Sequence, residues 1–93
     1  LTCLLPLAAA RAGLVHVPIN PLLKRAQAAH ILTDSGARLL IGTGSRLASL
    51  ESGDLPPGCA ALGEPEALAA AEEAGLDLPP SAADPSELAA ILY

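Results

Sequence analysis

A glycine-rich turn in the middle of the chain has residue types that can cradle phosphates. Residues 42–47, Gly-Thr-Gly-Ser-Arg-Leu, are expected to follow a strand and open a helix, as a dinucleotide-binding fingerprint does. That fingerprint needs Gly or Ala at its last position for close helix packing, and Leu47 stands there. No acidic residue of evident ribose-binding type can be placed after the turn. We therefore interpret it as a plain strand-to-helix connection.

Other side chains that could do chemistry lack the partners that such chemistry needs. His16 and His30 have no Cys, His or carboxylate at metal-ligand spacing, so we interpret both as structural. Glu72 and Glu73 are neighbours on a predicted helix, where adjacent side chains point about 100° apart and do not share a proton. Asn20 precedes a proline and is interpreted as a turn or cap residue. We expect no catalytic, cofactor-binding or metal-binding residue among these groups.

The composition indicates one small domain with little core of its own. The chain has 93 residues, of which 52% are hydrophobic but only 1% aromatic. Much of the apolar content is alanine, which removes little area from water. The sequence also begins at Leu1 and ends in an apolar run, 88–93, whereas chain termini are usually polar. We therefore expect the missing partner surfaces to lie elsewhere in a longer parent chain.

Charge and cysteine content exclude several classes of protein. The net charge of −5 and the pI of about 4.7 argue against binding to nucleic acid or to anionic membranes. No run of about 20 apolar residues is free of Pro, Gly and charge, so no membrane span is expected. Cys3 and Cys59 do not make a disulfide framework. We expect both to be buried free thiols in a cytoplasmic protein.

The first half of the chain predicts alternating helices and strands. A helix is expected over 2–12, ended by Gly13, and a strand over 14–17. Asn20-Pro21 could open a second helix, whose main part is 23–34 and ends at Ser35-Gly36. A nearly continuous apolar strand at 38–41 is expected to be buried on both faces. The predicted buried stripe of the second helix consists of Leu22, Ala26, Ala29 and Leu32.

The second half of the chain continues the alternation of helices and strands, but its last residues fit either a helix or a strand. Ser45 is expected to cap a short helix to about residue 51, followed by a loop at 52–58 and a weak strand at 59–62. An alanine-rich helix begins at residue 64 and ends at Gly75, and a Pro-rich linker covers 76–85. Residues 84–87, Asp-Pro-Ser-Glu, have the signals of a helix start, whereas 89–93 also fit a buried strand. The order of elements predicts an α/β fold, with a mostly parallel sheet and flanking helices.

Three blocks together resemble the AMP-forming acyl-CoA synthetases, the AMP-dependent synthetase and ligase family of adenylate-forming enzymes. They are 12–21 (Ala-Gly-Leu-Val-His-Val-Pro-Ile-Asn-Pro), 30–41 (His-Ile-Leu-Thr-Asp-Ser-Gly-Ala-Arg-Leu-Leu-Ile) and 84–93 (Asp-Pro-Ser-Glu-Leu-Ala-Ala-Ile-Leu-Tyr). Their order and spacing match the family and span most of the chain. Residues 19–24 with 30–32 are most similar to bacterial acyl-CoA ligases associated with exosortase gene clusters. The segment 55–78 departs from the pattern, being shorter and richer in alanine than in many relatives.

The resemblance implies a fold, a reaction and a position within a larger enzyme. Residues 1–93 would be a single partial domain, part of the N-terminal subdomain, and 89–93 would be the strand that precedes the phosphate-binding loop. Tyr93 would border that loop, which begins after it. The parent enzyme would use ATP, Mg²⁺ and coenzyme A to turn a small-molecule carboxylate into an acyl-adenylate and then a thioester, as in fatty acid metabolism. The fragment, separated from the remainder of the parent chain, would be inactive.

Two other functions fit the same residues. A non-catalytic α/β interaction module would need a closed core and polar termini. The adenylation domain of a peptide synthetase would differ in the acceptor of the acyl group and in its partner.

Overall fold

Two short parallel strands with helices packed against them form the centre of the structure. The computed structural model describes residues 1–75 and 77–93. Strand β1 pairs with strand β2 in parallel, with Leu39 opposite Ala60 and Gly42 opposite Gly63. Helix α3 contacts β2, and helix α4 contacts both strands. The α/β class with parallel strands and flanking helices is therefore confirmed. The elements are α1 Leu5–Arg11, α2 Arg25–Asp34, β1 Leu39–Gly42, α3 Gly44–Ala48, β2 Ala60–Gly63 and α4 Glu64–Ala74.

The first helix ends as its glycine predicts. Gly13 has φ 69°, the left-handed conformation that closes many helices. Its N–H bonds the carbonyl of Ala10 at 3.1 Å, and the N–H of Leu14 bonds the carbonyl of Ala9 at 2.8 Å, which together make a Schellman motif. The helix starts later than predicted, at Leu5, and this places Pro6 in the first turn, where its missing N–H costs no hydrogen bond.

The first and last predicted strands are reduced to one parallel bridge between His16 and Ala90. The N–H of His16 bonds the carbonyl of Ala89 at 2.9 Å, and the N–H of Ile91 bonds the carbonyl of His16 at 3.0 Å. In a parallel ladder the next donor on the first segment would be residue 18, which is a proline without an N–H. The ladder therefore stops after one repeat, and the strands predicted at 14–17 and 89–93 do not form in full.

The second helix begins at Arg25, later than Asn20-Pro21 predict. Asn20 does not cap the helix, because its Oδ1 accepts the N–H of Leu22 at 2.9 Å in a local turn. Lys24 occupies the cap position instead, and its N–H is satisfied by Oε1 of Gln27 at 3.0 Å. The predicted end is confirmed, with Ser35 at the C-cap and Gly36 at φ 65°.

The buried face of α2 is not the predicted stripe. Its buried residues are Ala28, Ile31 and Leu32, which make up the hydrophobic core of the described chain. Of the predicted stripe only Leu32 is buried, and Leu22, which precedes the helix, is 88% exposed. Because alanines lie on nearly every face of this helix, periodicity does not identify the inner one. The larger Ile31 and Leu32 decide it, since burying them removes more apolar area from water.

Strand β1 and helix α3 differ from expectation in burial and capping. Leu39 is 49% exposed, so burial of 38–41 on both faces is wrong. The sheet has two strands, and β1 therefore has a neighbour on one side among the residues described. Helix α3 begins at Gly44 with Thr43 as its N-cap, so Ser45 lies inside the helix and does not cap it.

The helix and turn predicted in the second half are confirmed. Helix α4 begins at Glu64 with Pro65 in its first turn and ends at Gly75, which has φ 49°. Residues 77–85 have no helix or strand, as a linker predicts, and residue 76 of that linker lies outside the described residues. At 84–87 the chain turns without starting a helix, and the N–H of Glu87 bonds the carbonyl of Asp84 at 2.9 Å.

The two cysteines are free, but they are not both buried. Cys3 is exposed, so its predicted burial is wrong, and Cys59 is half-buried. Burial raises the pKa of the Cys59 thiol. Over residues 1–75 and 77–93, every helix falls short of the length and apolar character that a bilayer crossing requires.

Candidate functional site

The glycine-rich turn at 42–47 is used for packing and anchoring. A Cβ placed on Gly42 would lie 3.4 Å from Cδ2 of Leu47, so the leucine covers the glycine closely. The Nη2 of Arg46 donates to the carbonyl of Leu23 at 2.7 Å, which ties α3 to the segment before α2. The Oγ atoms of Thr43 and Ser45 lie 3.3 Å apart and bond each other. The interpretation as a structural connection agrees with these contacts.

The side chains of the glycine turn and three of the arginines contact other protein groups. Helix α3, which follows the glycine turn, has 5 residues and offers a weak anion site at most. Three of the arginines hold protein groups: Arg46 holds Leu23, Arg11 donates to the carbonyls of Leu78 and Pro79, and Arg25 pairs with carboxylates. In the described part of the chain, no three His, Cys, Asp or Glu side chains come together in a way that could hold a metal ion.

The two histidines and the two adjacent glutamates do not form a common site among the residues described. His16 is half-buried, and its backbone makes the bridge to Ala90. His30 is exposed on α2 at the edge of an apolar cleft. Glu72 and Glu73 are exposed on α4. The structure brings none of these four side chains into hydrogen-bond contact with another among the residues described.

A charged cluster that the sequence analysis did not identify joins α2 to the loop after α3. Asp54 is 9% exposed, and its Oδ2 accepts the N–H of Glu51 at 2.7 Å. The Nε of Arg25 lies 3.3 Å from the same oxygen, and the guanidinium also pairs with the carboxylate of Glu51. Each buried oxygen of this cluster has a partner. Its contacts are structural, because they are satisfied within the cluster and leave no group directed at a ligand.

The hydroxyl of Tyr93 makes a side-chain hydrogen bond between two distant segments of the chain. It donates to Oδ2 of Asp34 at 2.6 Å, across 59 positions of sequence. That length is typical of a hydroxyl bonded to an ionised carboxylate. The hydrogen bond to Asp34 raises the pKa of Tyr93 above its ordinary value, because the negative acceptor favours the protonated phenol. Asp34 is the last residue of α2, so the contact links the end of that helix to the end of the bridged segment.

The ring of Tyr93 lines an open apolar cleft on α2. The cleft has a volume of about 440 Å³, and its other lining residues are Leu23, Ala26, Gln27, His30 and Ile31. Most of its surface is carbon, with polar atoms from Gln27 and His30 at hand. Tyr93 remains 55% exposed, so it lies across the cleft without filling it.

The model of the family described as AMP-binding enzyme matches residues 3–93. The chain belongs to the AMP-binding enzyme family. No curated protein and no solved structure matches it at a significant level. The match covers the segments that carry the α/β elements and also the bridged segment that ends at Tyr93, so the adenylate-forming superfamily assignment is confirmed.

In this AMP-binding enzyme, no residue pattern in the sequence indicates that Tyr93 contacts Asp34. Asp34 was interpreted as part of a helix end, because it stands in an Asp-Ser-Gly run that is typical of one. A carboxylate in the last turn of a helix is an unfavourable placement next to the helix dipole. That local conflict is compatible with a distant partner for Asp34 but does not by itself identify one.

Proposed function

We propose that residues 1–93 are a partial domain, from the N-terminal subdomain of an AMP-forming acid–thiol ligase. In the reaction of such an enzyme a carboxylate attacks the α-phosphate of ATP to give an acyl-adenylate and pyrophosphate. A thiol, that of coenzyme A, then displaces AMP and takes the acyl group. The family match over residues 3–93 is the observation that carries this proposal.

The direction of the bridged segment supports a nucleotide site just after Tyr93. The segment containing Ala90 runs parallel to the one containing His16. In open α/β folds, ligands bind beyond the carboxyl ends of the parallel strands. A phosphate-binding loop that follows Tyr93 would lie at such an end, and ATP and Mg²⁺ would be held by residues outside 1–93. No step of the reaction is assigned to a side chain of this segment.

The exposed apolar surface supports a partial domain over a self-sufficient interaction module. Large apolar side chains that are exposed outnumber the buried ones among the described residues. A stable separate module would be expected to bury more of them. The surfaces that cover them would belong to the remainder of the parent chain. The exposed set is Leu4, Leu7, Leu14, Val15, Leu22, Leu39, Leu68, Leu78, Leu88, Leu92 and Tyr93.

The narrower assignment concerns the acyl substrate and the acceptor. Resemblance of 19–24 and 30–32 to exosortase-associated bacterial ligases supports a bacterial cytoplasmic acyl-CoA ligase that acts on a small carboxylate. The net charge of −5 gives no basis for nucleic acid as a partner. Coenzyme A is the proposed acceptor of the acyl group. The alternative acceptor is a thiol bound to a carrier protein.

Two measurements on the intact protein test this function. The first is carboxylate-dependent exchange of labelled pyrophosphate into ATP, which reports adenylate formation whatever the acceptor. The second is mass-spectrometric detection of an acyl-CoA when coenzyme A is added. Exchange with thioester formation is the expected result. Exchange without it would indicate a peptide-synthetase type of adenylation domain, and absence of exchange across a panel of carboxylates would reject the ligase assignment.

A further inference from the structure

The end of the chain's last segment is held at two separate places. Its backbone is fixed by the bonds of His16 to Ala89 and Ile91, at 2.9 and 3.0 Å. Its final side chain is fixed by the hydroxyl of Tyr93 on Asp34, at 2.6 Å. The two attachments use different elements, since His16 lies before α2 and Asp34 ends it. Together they restrict both the position and the rotation of residues 91–93.

The carboxylate of Asp34 lies at the end of α2, where the helix dipole makes a negative charge unfavourable. The last turn of α2 has no basic residue, and the helix ends in this carboxylate. Negative charge at a helix C-terminus is unfavourable because the last carbonyls already carry partial negative charge. The carboxylate therefore does not stabilise α2 locally. Its one hydrogen bond among the described residues is the one that it accepts from Tyr93.

We infer that Asp34 is a positioning residue for the ATP phosphate-binding loop, acting through the hydroxyl of Tyr93. The inference rests on the proposed function, in which that loop follows Tyr93. Consecutive Cα atoms lie 3.80 Å apart, so the first residue of the loop leaves directly from the anchored tyrosine. An anchor at this point limits the directions in which the loop can start. Loss of the anchor should weaken the binding of ATP more than it slows the chemistry.

Kinetics of the intact protein test the positioning role. In pyrophosphate exchange, Asp34→Ala and Tyr93→Phe are each expected to raise the KM for ATP about three- to tenfold, the range that one exposed charge-assisted hydrogen bond can supply. The kcat should change less than the KM. The double variant should be no worse than either single one, because both remove the same bond. Glu73→Gln is the matched control, since it removes an exposed carboxylate near the end of α4 and should leave the KM unchanged.

A second readout does not depend on activity. The ring resonances of Tyr93, assigned by their loss in Tyr93→Phe, should titrate above the ordinary tyrosine pKa and shift downward in Asp34→Asn. If Asp34→Asn leaves this titration unchanged, the contact is absent and the inference fails even in an active enzyme. If the titration shifts but KM for ATP does not, the contact is structural only and the positioning role is rejected. If the wild type shows no exchange, the proposed function fails and the role in ATP binding fails with it, while the titration still reports the contact.

Discussion

Helices α2 and α4 are both rich in alanine and nearly equal in length, at 10 and 11 residues, yet different interactions hold them. Helix α2 buries Ala28, Ile31 and Leu32 and is joined to other segments by side-chain bonds at both of its ends. Every residue of α4 is described, and none is buried.

Helix α4 has signals in its first turn that α2 lacks, although a left-handed glycine follows both helices. Pro65 and the carboxylates of Glu64 and Glu66 lie in its first turn, and Gly75 ends it in the left-handed conformation. Helix α2 has no acidic residue in its first turn. The comparison teaches that tertiary contacts determine α2, whereas the sequence of α4 itself determines most of its structure. The predictions below test that division.

Removal of a buried side chain from α2 should have the largest effect. Leu32 is 2% exposed, and Leu32→Ala should lower the free energy of unfolding of the intact protein by about 2–4 kcal/mol. Glu73, on α4, is exposed and polar, and Glu73→Ala should cost less than about 1 kcal/mol. Urea unfolding monitored by circular dichroism measures both. Equal costs would break the comparison.

Removal of the carboxylate of Asp54 should have the second-largest effect on the free energy of unfolding. Asp54→Ala leaves the N–H of Glu51 without its acceptor in a part-buried place, which should cost about 1–2 kcal/mol in the same unfolding measurement. Arg25→Ala should cost less, because its side chain is 44% exposed and water screens the ion pair. Glu72→Gln on α4 is the control and should stay within about 0.5 kcal/mol of the wild type. A larger cost for Arg25→Ala than for Asp54→Ala would show that the ion pair dominates.

Substitution of Gly75 should affect α4 alone. An L-residue at φ 49° is strained by about 1–2 kcal/mol, so Gly75→Ala should fray the last turn of the helix. Hydrogen exchange of the amides at 71–75 should speed up, while the global free energy of unfolding changes little. Gly53, which has nothing within 4 Å of an added Cβ and no positive φ, is the control position. A global loss of stability in Gly75→Ala would mean that α4 is coupled to the core more tightly than its exposure indicates.

Acid should open the turn at 84–87, and this local change should have the smallest effect of the four on stability. The hydrogen bonds from the Ser86 side chain and backbone hold the pKa of Asp84 below its ordinary value. Because the folded pKa is depressed, the stabilisation is present above the ordinary Asp pKa and is lost as the pH falls through the folded value. Relative to its intrinsic rate at the same pH, the amide of Ser86 should exchange faster at low pH, and Ser86→Ala should weaken this dependence. An exchange rate that follows only the intrinsic pH effect would contradict the prediction.

Local signals explain which parts of the fold could be predicted. The glycines at the ends of α1, α2 and α4 and the turn at Asp84 were identified correctly, because each depends on a few neighbouring residues. The start of α2 was wrong, since Asn20 bonds Leu22 and Lys24 takes the cap position. Its predicted buried face was wrong because alanines mark more than one face, and the bulk of Ile31 and Leu32 decides which face packs inward.

The candidate site could be predicted only in part, for a related reason. That Tyr93 borders a phosphate-binding loop is implied by the resemblance of 84–93 to the family and stays a prediction. Its contact with Asp34 joins residues 59 positions apart, and no periodicity connects positions so distant. The charged cluster of Arg25, Glu51 and Asp54 is likewise a product of tertiary structure. Contacts between separate elements were beyond what residue patterns could indicate.

The bridge between His16 and Ala90 also sets an order of events during translation. The segment around His16 leaves the ribosome long before the segment that pairs with it. Contacts between distant positions form late, because a long loop must close before they contribute. Until then the polar backbone groups of His16 are open to water or to other nascent chains.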